Sequence, residues 1–217
     1  MYTLRLCHDS LPAGSVAQPV DTQHAILYVL KGAPIINGKP VPADTAKYCM
    51  DNIQIEAGEE DAVIWRFELI PTEAPKAYLT GRGITSQLKM LRRVRMFEMA
   101  PRQKWLFRLD CIYNNLGSTG LHSHPGSGIR CLLEGNLHVR GTLGEESDNE
   151  KLGDTWYEEG SYPIVSTTYG DNPTAFLRGM VLPVEYAEHP DTAMWIEGAK
   201  VVQSDWKNYS QQVVRLR

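Results

Sequence analysis

Two histidines, His122 and His124, lie one residue apart in the segment GLHSHPGSGIRCLLEG. A glycine-rich turn and a short apolar run that ends at Gly135 follow them. Side chains at positions i and i+2 of a β-strand point to the same face, so both imidazoles are expected to share one interior. Neutral imidazole is a good ligand for divalent ions of Fe, Mn, Ni, Zn and Cu. The alternative is that the two rings bind an organic ligand directly, with one of them acting as a base.

The elements that must position this pair occur twice along the chain. From Arg5 to Gly32 the sequence matches the stretch from Arg108 to Gly135 without a gap, at an offset of 103 residues. The clearest match is ILYVLKG with IRCLLEG, and IWRFELIP matches FLRGMVLP further along. Each copy consists of short apolar runs separated by Pro and Gly, a pattern that predicts β-strands joined by turns. The chain is therefore predicted to be a duplicated all-β domain.

The repeat divides the chain into two β-domains, a connector and a C-terminal extension. The predicted segments are residues 1–72 (first copy), 73–103 (connector), 104–184 (second copy) and 185–217 (extension). In the connector, apolar residues near helical spacing predict a short helix over Ile84–Met99, with a strand as the alternative for its end. The extension is more polar, but Trp195 and Trp206 favour a segment that docks on the folded protein.

Composition and charge exclude several classes of protein. The net charge is −4 and the pI is near 5.9, whereas nucleic-acid-binding domains usually have a basic face. No apolar run reaches the roughly 20 residues that span a bilayer, and the first residues do not resemble a signal peptide. The four cysteines lack CxxC spacing and are expected to be reduced. We therefore expect a cytoplasmic protein with a small-molecule ligand, without nucleic-acid or membrane partners, and compatible with a homodimer.

The order Gly117, His122, His124, Gly135 resembles the first motif of the cupin superfamily. The segment YEEGSYPIVSTT (157–168) is similar to the second motif, Pro-x-Gly followed by His and Asn. The resemblance covers about residues 2–71 and 104–183, and it implies two jelly-roll β-barrels in one chain, a bicupin. In this family a glutamate and a further histidine complete a metal site. Open metal positions then bind substrate or dioxygen in dioxygenases, decarboxylases, lyases and isomerases.

The chain departs from the family pattern at both completing positions. Gly128 stands where the motif has glutamate, and Pro163 stands where it has histidine. In the first copy every ligand position has changed, to Pro19, Asp21, Ala25 and Asp61. The first copy is therefore expected to be structural, and any metal is expected in the second copy alone.

Glu158 and Arg130 are the charged residues that bear on the incomplete site. Glu158 lies at the first position of the second motif, where a carboxylate beside two imidazoles would form a three-ligand set typical of non-haem iron or zinc. The other interpretation places it in solvent at a strand end. Arg130 lies two residues beyond Gly128, so it is expected to point inward and to need a partner. It either pairs with Glu158 or Glu134 or binds an anionic substrate through its planar guanidinium.

Two functional hypotheses follow from these residues. The first is a metal-dependent enzyme of dioxygenase, lyase or isomerase type that acts on a small anionic molecule. It uses one divalent transition metal, with His122, His124 and Glu158 as ligands and with Arg130 and Glu158 as catalytic groups. The second is a metal-free cupin that binds or senses a small molecule without catalysis.

Overall fold

The computed structural model describes residues 1–74, 78–94, 104–114, 117–170, 172–189, 191–202 and 204–216. These residues form β-strands and one short 3₁₀ helix, Val184–Glu188, so the all-β prediction is confirmed. No helix in the described part of the chain is long and apolar enough to cross a membrane. The chain divides into two compact units, Met1–Arg93 (unit 1) and Val94–Arg217 (unit 2).

Unit 1 is built around a sheet with the strand order β5-β2-β7-β1-β8, beside a small sheet of order β4-β3-β6. The strands are β1 (Tyr2–Leu11), β2 (His24–Lys31), β3 (Ile35–Ile36), β4 (Lys39–Pro40), β5 (Thr45–Cys49), β6 (Ile55–Glu56), β7 (Ala62–Pro71) and β8 (Thr85–Val94). The long strands are rich in Leu, Ile, Val and aromatic residues, and most of their residues are buried. Such composition suits a strand that is covered on both faces.

Unit 2 has a main sheet with the strand order β15-β12-β17-β9-β19 and a second sheet of order β14-β13-β16-β11-β18. The strands are β9 (Lys104–Asn114), β10 (Gly117–Ser118), β11 (His122–Ser123), β12 (Gly128–Glu134), β13 (Leu137–Gly141), β14 (Glu146–Asn149), β15 (Thr155–Glu158), β16 (Ile164–Thr168), β17 (Thr174–Pro183), β18 (Met194–Trp195) and β19 (Asp205–Arg215). The candidate site residues lie on β11, β12 and β15 or directly after them.

Strand pairing shows that the sequence repeat is also a structural repeat. In unit 2, Arg130 of β12 lies opposite Arg178 of β17. In unit 1, Leu27 of β2 lies opposite Arg66 of β7, in the same register. Leu27 therefore occupies the place of Arg130, and the two main sheets have equivalent strands in the same order. The duplicated architecture is confirmed.

The predicted helix over Ile84–Met99 is wrong. Residues Thr85–Val94 form β8, which lies next to β1 in the first sheet. The hydroxyl of Ser86 also contacts the carboxylate of Asp9. The free edge of β1 offers backbone hydrogen-bond partners that local apolar spacing does not record, and such tertiary pairing outweighs weak helical periodicity. Residues 95–99 of the predicted helix, like 75–77 and 95–103 of the predicted connector, lie outside the described residues.

The C-terminal extension contributes a strand to unit 2. Strand β19 pairs with β9 from Asp205 opposite Tyr113 to Arg215 opposite Lys104, with a bulge near Ser210. In unit 2, β19 lies next to β9 at the edge of the main sheet. In unit 1, β8 lies next to β1 at the equivalent edge. Each unit therefore closes its sheet with a strand that follows the predicted repeat.

The interior of unit 1 combines an apolar cluster with a closed ion-pair network. Leu27 packs in this cluster with residues such as Val29, Ile53 and Ile64. Arg66 contacts Asp9 at 2.8 Å and Glu68 at 2.6 Å, and Arg5 contacts Glu68 at 2.5 Å. Two arginines thus face two carboxylates, as buried charges require.

Two equivalent glycines provide a test of the fold. Gly32 (φ +80°) and Gly135 (φ +74°) end β-strand runs in the two units, and a Cβ at either position would lie 2.5 Å from a backbone oxygen, that of Asp61 or Pro173. We expect Gly32→Ala and Gly135→Ala each to lower the free energy of unfolding by about 3 kcal/mol in urea titrations. Gly38 (φ +69°), with open space around its Cβ position, is the matched control. Its replacement by alanine should cost about 1 kcal/mol. Equal losses at the three positions would contradict the predicted clashes.

Candidate functional site

The two histidines are buried, and both rings have the same nitrogen engaged with the backbone. Nδ1 of His122 lies 2.9 Å from the carbonyl oxygen of Gly120, and Nδ1 of His124 lies 3.0 Å from that of Thr192. A carbonyl oxygen only accepts, so each Nδ1 carries the hydrogen and donates it. Each Nε2 is therefore left with its lone pair. Such backbone bonds fix the tautomer of metal-binding histidines in general.

Glu158 is buried, with 7% of its surface exposed, which rules out the solvent-exposed interpretation. It lies on β15 directly opposite Gly128 of β12. Its Oε1 accepts a hydrogen bond of 2.8 Å from Nε1 of Trp156. Its Oε2 lies 2.7 Å from Nη2 of Arg130 and 3.3 Å from Nε2 of His124. One carboxylate oxygen therefore faces both the arginine and the histidine.

The absence of a side chain at Gly128 makes room for Arg130. A Cβ at Gly128 would lie 2.3 Å from Nη1 of Arg130. The carboxylate that the cupin motif has at this level of β12 is thus supplied here by Glu158, from the neighbouring strand. Arg130 is fully buried, and its N–H bonds do not align with a hydrogen-bond acceptor, although its ion pair with Glu158 is close. Of the alternatives for Arg130, the structure shows the pair with Glu158.

Burial and neighbouring charges set the protonation states of this group. Burial, with smaller contributions from Arg130 and His122, lowers the pKa of His124 to about 4, so its ring is neutral at pH 7. Burial alone would raise the pKa of Glu158, but the guanidinium of Arg130 holds that pKa below its usual range. A neutral Nε2 lone pair and a carboxylate oxygen therefore face each other. Two such groups repel unless a cation lies between them.

Two of the predicted ligand atoms have the separation that a shared divalent metal ion requires. Two ligand atoms that are each about 2.1 Å from one ion lie about 3.0 to 3.4 Å apart at angles of about 90 to 110°. The Nε2 of His124 and the Oε2 of Glu158 are 3.3 Å apart, and this Oε2 has no hydrogen-bond partner. The ring of His122 is 5.1 Å from that of His124. Among the described residues, no group of three or more His, Cys, Asp or Glu side chains has the spacing to hold a metal ion, so the match is limited to the pair of His124 and Glu158.

A cavity of about 370 Å³ lies beside these residues within unit 2. His122, His124, Glu158 and Arg178 line its polar part. Its other walls combine apolar side chains with polar ones, which include the carboxylates of Asp191 and Asp205, and several of these residues come from the C-terminal extension. The volume suits a small organic molecule.

Three arginines and two carboxylates form a buried cluster around the base of the cavity. Arg178 binds Asp110 through two nitrogens, at 2.8 and 3.0 Å, and Arg108 contacts the same carboxylate at 3.0 Å. Arg130 and Glu158 form the second part of the cluster. Unlike the balanced network of unit 1, this cluster has one more positive than negative charge. The sequence analysis missed Arg108 and Asp110, although the offset of 103 pairs Arg108 with Arg5.

The structure also places the residues that the sequence left outside the site. His138 is partly exposed and contacts Asp148 at 2.6 Å and Glu146 at 3.1 Å, so it does not join the other histidines. Cys131 lies one residue from Arg130 on β12 and, by strand alternation, faces away from it. Trp195 and Trp206 line the cavity, a role that their spacing did not indicate.

Replacing Arg130 tests the buried ion pair. Arg130→Met leaves the Glu158 carboxylate buried without its cation, and we expect the free energy of unfolding at pH 7 to fall by about 3 to 5 kcal/mol. Leu27→Met, at the equivalent position of unit 1, is the matched control and should cost less than about 1.5 kcal/mol. Urea titrations of both variants and the wild type measure the two losses. Similar losses would show that Arg130 does not stabilise Glu158.

The same pair predicts a pH dependence. Because the pKa of Glu158 is lowered in the folded state, its contribution to stability is present above the unfolded pKa, about 4.3, and is lost as the pH falls further. The stability difference between wild type and Arg130→Met should therefore be largest near neutral pH and shrink below about pH 4. A difference that grows with acidification would contradict this assignment.

Comparison with known proteins identifies the fold. No protein-family model matches the sequence, and no curated protein is significantly similar to it. Solved structures do match. AerE from Microcystis aeruginosa has a TM-score of 0.57 and 13% identity, covering 80% of this chain and 85% of its own. Salicylate 1,2-dioxygenase from Pseudaminobacter salicylatoxidans has a TM-score of 0.54 and 13% identity, covering 95% and 75%.

A variant of oxalate decarboxylase from Bacillus subtilis has a TM-score of 0.56 and 13% identity, covering 82% of this chain and 68% of its own. At such low identity the likeness concerns the fold. These neighbours are cupins, in agreement with the strand order and the internal repeat. The chain therefore has the cupin fold, present twice as a bicupin.

Proposed function

We propose that unit 2 is a metal-dependent enzyme site that acts on a small organic anion. The observation that carries this proposal is that Nε2 of His124, which keeps its lone pair, lies 3.3 Å from Oε2 of Glu158, while Nε2 of the neighbouring His122 also keeps its lone pair. Both Nδ1 atoms are engaged by backbone carbonyls, so the remaining ring nitrogens are available to an ion. His122, His124 and Glu158 would hold this ion, which is one of Fe, Mn, Ni, Zn or Cu.

The bound ion would supply Lewis acidity or a site for dioxygen. The residues of the chain have separate tasks. Arg130 keeps Glu158 ionised and in place, since both lie in the buried interior at 2.7 Å. Backbone carbonyls hold the two imidazoles in one tautomer. Arg130 is fully buried, so we assign it to positioning Glu158 rather than to binding the substrate.

A bound divalent ion would favour an anionic substrate. The carboxylates of Asp191 and Asp205 line the cavity together with Glu158 and offset the surplus of the buried arginines, so the ion would supply the positive charge that an anion needs. Arg178 lines the cavity, so an anion there would lie near a guanidinium. Two structural neighbours are named for carboxylates, salicylate and oxalate, and the oxalate decarboxylase has Mn(II) centres. These names support a carboxylate substrate for this chain.

One observation favours the second hypothesis, a metal-free binding protein. Arg130 already contacts the same oxygen of Glu158 that an ion would use. The carboxylate is thus neutralised without metal, and the cavity could hold a ligand by hydrogen bonds alone. Metal analysis separates the two functions.

Metal content is the direct test of the proposal. Untagged protein is stripped with a chelator, equilibrated with each of the five divalent ions and measured by elemental analysis and thermal melting. We expect one ion per chain and a higher melting temperature, since an ion that binds the folded state stabilises it. His122→Ala combined with His124→Ala should abolish both effects while the protein remains folded.

Asp21→Ala in unit 1 is the matched control, because Asp21 holds the repeat position of His124. It should bind metal as the wild type does. No uptake by the wild type would favour the metal-free hypothesis. Loss of metal binding in Asp21→Ala would show that the assignment of the site to unit 2 is wrong.

A further inference from the structure

The walls of the cavity in unit 2 differ in chemistry. On the main sheet, Phe176, Ile112 and Trp206 lie opposite one another on three adjacent strands, β17, β9 and β19. Residues opposite one another in antiparallel strands face the same side, so they form an apolar row, and all three line the cavity. Arg178 and Asp110 also lie opposite each other on β17 and β9, two residues away from Phe176 and Ile112, and they form a charged row. On the other side of the apolar row, Asn114 and Ser204 also line the cavity and are hydrogen-bonded to each other, so the apolar row lies between two polar ones.

The two tryptophans of this cavity both come from the C-terminal extension. Trp195 on β18 pairs with His122 in the second sheet, and its ring centroid is 5.0 Å from that of His122. A molecule whose polar group reaches His122 therefore has the indole of Trp195 beside it. The two rings are tilted by 46°, so the indole is not stacked flat on the histidine.

Trp206 remains 37% exposed although it lines the cavity. The buried guanidinium of Arg108 lies 5.7 Å from its ring centroid, a cation–π distance that holds the indole from the interior side. Nη1 of Arg108 donates to the carbonyl oxygen of His189 at 2.8 Å, which fixes the guanidinium in turn. An aromatic ring held in place yet open to the cavity offers a surface for another planar ring.

The cavity volume agrees with a ring-sized ligand. An apolar cavity of about 150 Å³ is large enough for benzene. The cavity here is about 370 Å³, which leaves space for a ring and its polar substituents. Planar side chains in the cavity wall favour a flat ring over a puckered one of similar size, because aromatic pairs gain energy from their geometry beyond area burial.

We propose that Trp195 and Trp206 are specificity-determining residues that select organic anions with a planar aromatic ring. The ring would pack against the indoles, and the anionic group would point to the ion that His122 and His124 would hold. This inference rests on the proposed function, since it names the substrate class of the same site.

The test compares benzoate with cyclohexanecarboxylate, which has the same charge and a similar size but a puckered ring. Calorimetric titration measures both affinities, in metal-loaded and in chelator-treated protein. We expect the wild type to bind benzoate about three- to tenfold more tightly than cyclohexanecarboxylate. Trp206→Leu and Trp195→Leu should each reduce this ratio towards one, whereas Trp206→Phe should retain it.

Tyr169→Leu is the matched control, because Tyr169 is 39% exposed in the same unit and does not line the cavity. It should leave the ratio unchanged. Equal affinities in the wild type, no binding of either probe, or a ratio that survives both leucine variants would overturn the inference. A benzoate preference in protein that takes up no metal would refute the metal while supporting the ring selectivity. Metal uptake without a preference for benzoate would support the metal site and refute the ring selectivity.

Discussion

The carboxylate of Glu158 is buried among Trp156, Arg130 and His124, and the arrangement of unit 2 depends on keeping it ionised there. A buried charge is costly unless it is paired. Arg130 supplies the opposite charge, and Gly128 supplies the space that the guanidinium needs. The strand pairing then brings the carboxylate to the level of Gly128, beside His124. Removal of any one of these features would leave an unpaired charge or a steric clash.

The same constraint explains the difference between the two units. Unit 1 has Ala25 and Leu27 where unit 2 has Gly128 and Arg130, and both residues belong to its apolar cluster. Its arginines are matched by carboxylates in number. Unit 2 instead has a surplus cation and a cavity. The two copies thus differ at equivalent positions: unit 1 has an apolar cluster around Leu27, and unit 2 has the buried pair of Arg130 and Glu158.

Much of this was predictable from the sequence because the information is local. The repeat and the turn residues predicted the duplicated all-β fold, and strand alternation correctly aimed Arg130 inward. The edge strand β8 was not predictable from apolar spacing, because it is stabilised by pairing with β1, which is distant in sequence. The partner of Arg130 could only be narrowed to Glu158 or Glu134. Cross-strand register decides it, since β15 brings Glu158 opposite Gly128.

The cavity walls formed by residues 191–206 were the least predictable part. This segment has little regular structure, and the roles of Trp195 and Trp206 follow from where β18 and β19 join their sheets. The two tryptophans indicated from the sequence that this segment docks on the folded protein, but they did not indicate that it lines a cavity.

The central claim is that His122, His124 and Glu158 hold one metal ion. Crystals grown with Mn²⁺ or Zn²⁺ and measured on both sides of the absorption edge of the metal test it most directly. We expect one anomalous peak in unit 2, about 2.0 to 2.3 Å from Nε2 of both histidines and from Oε2 of Glu158. A peak at His138 and Asp148 instead, or no peak with the Arg130–Glu158 pair intact, would contradict it.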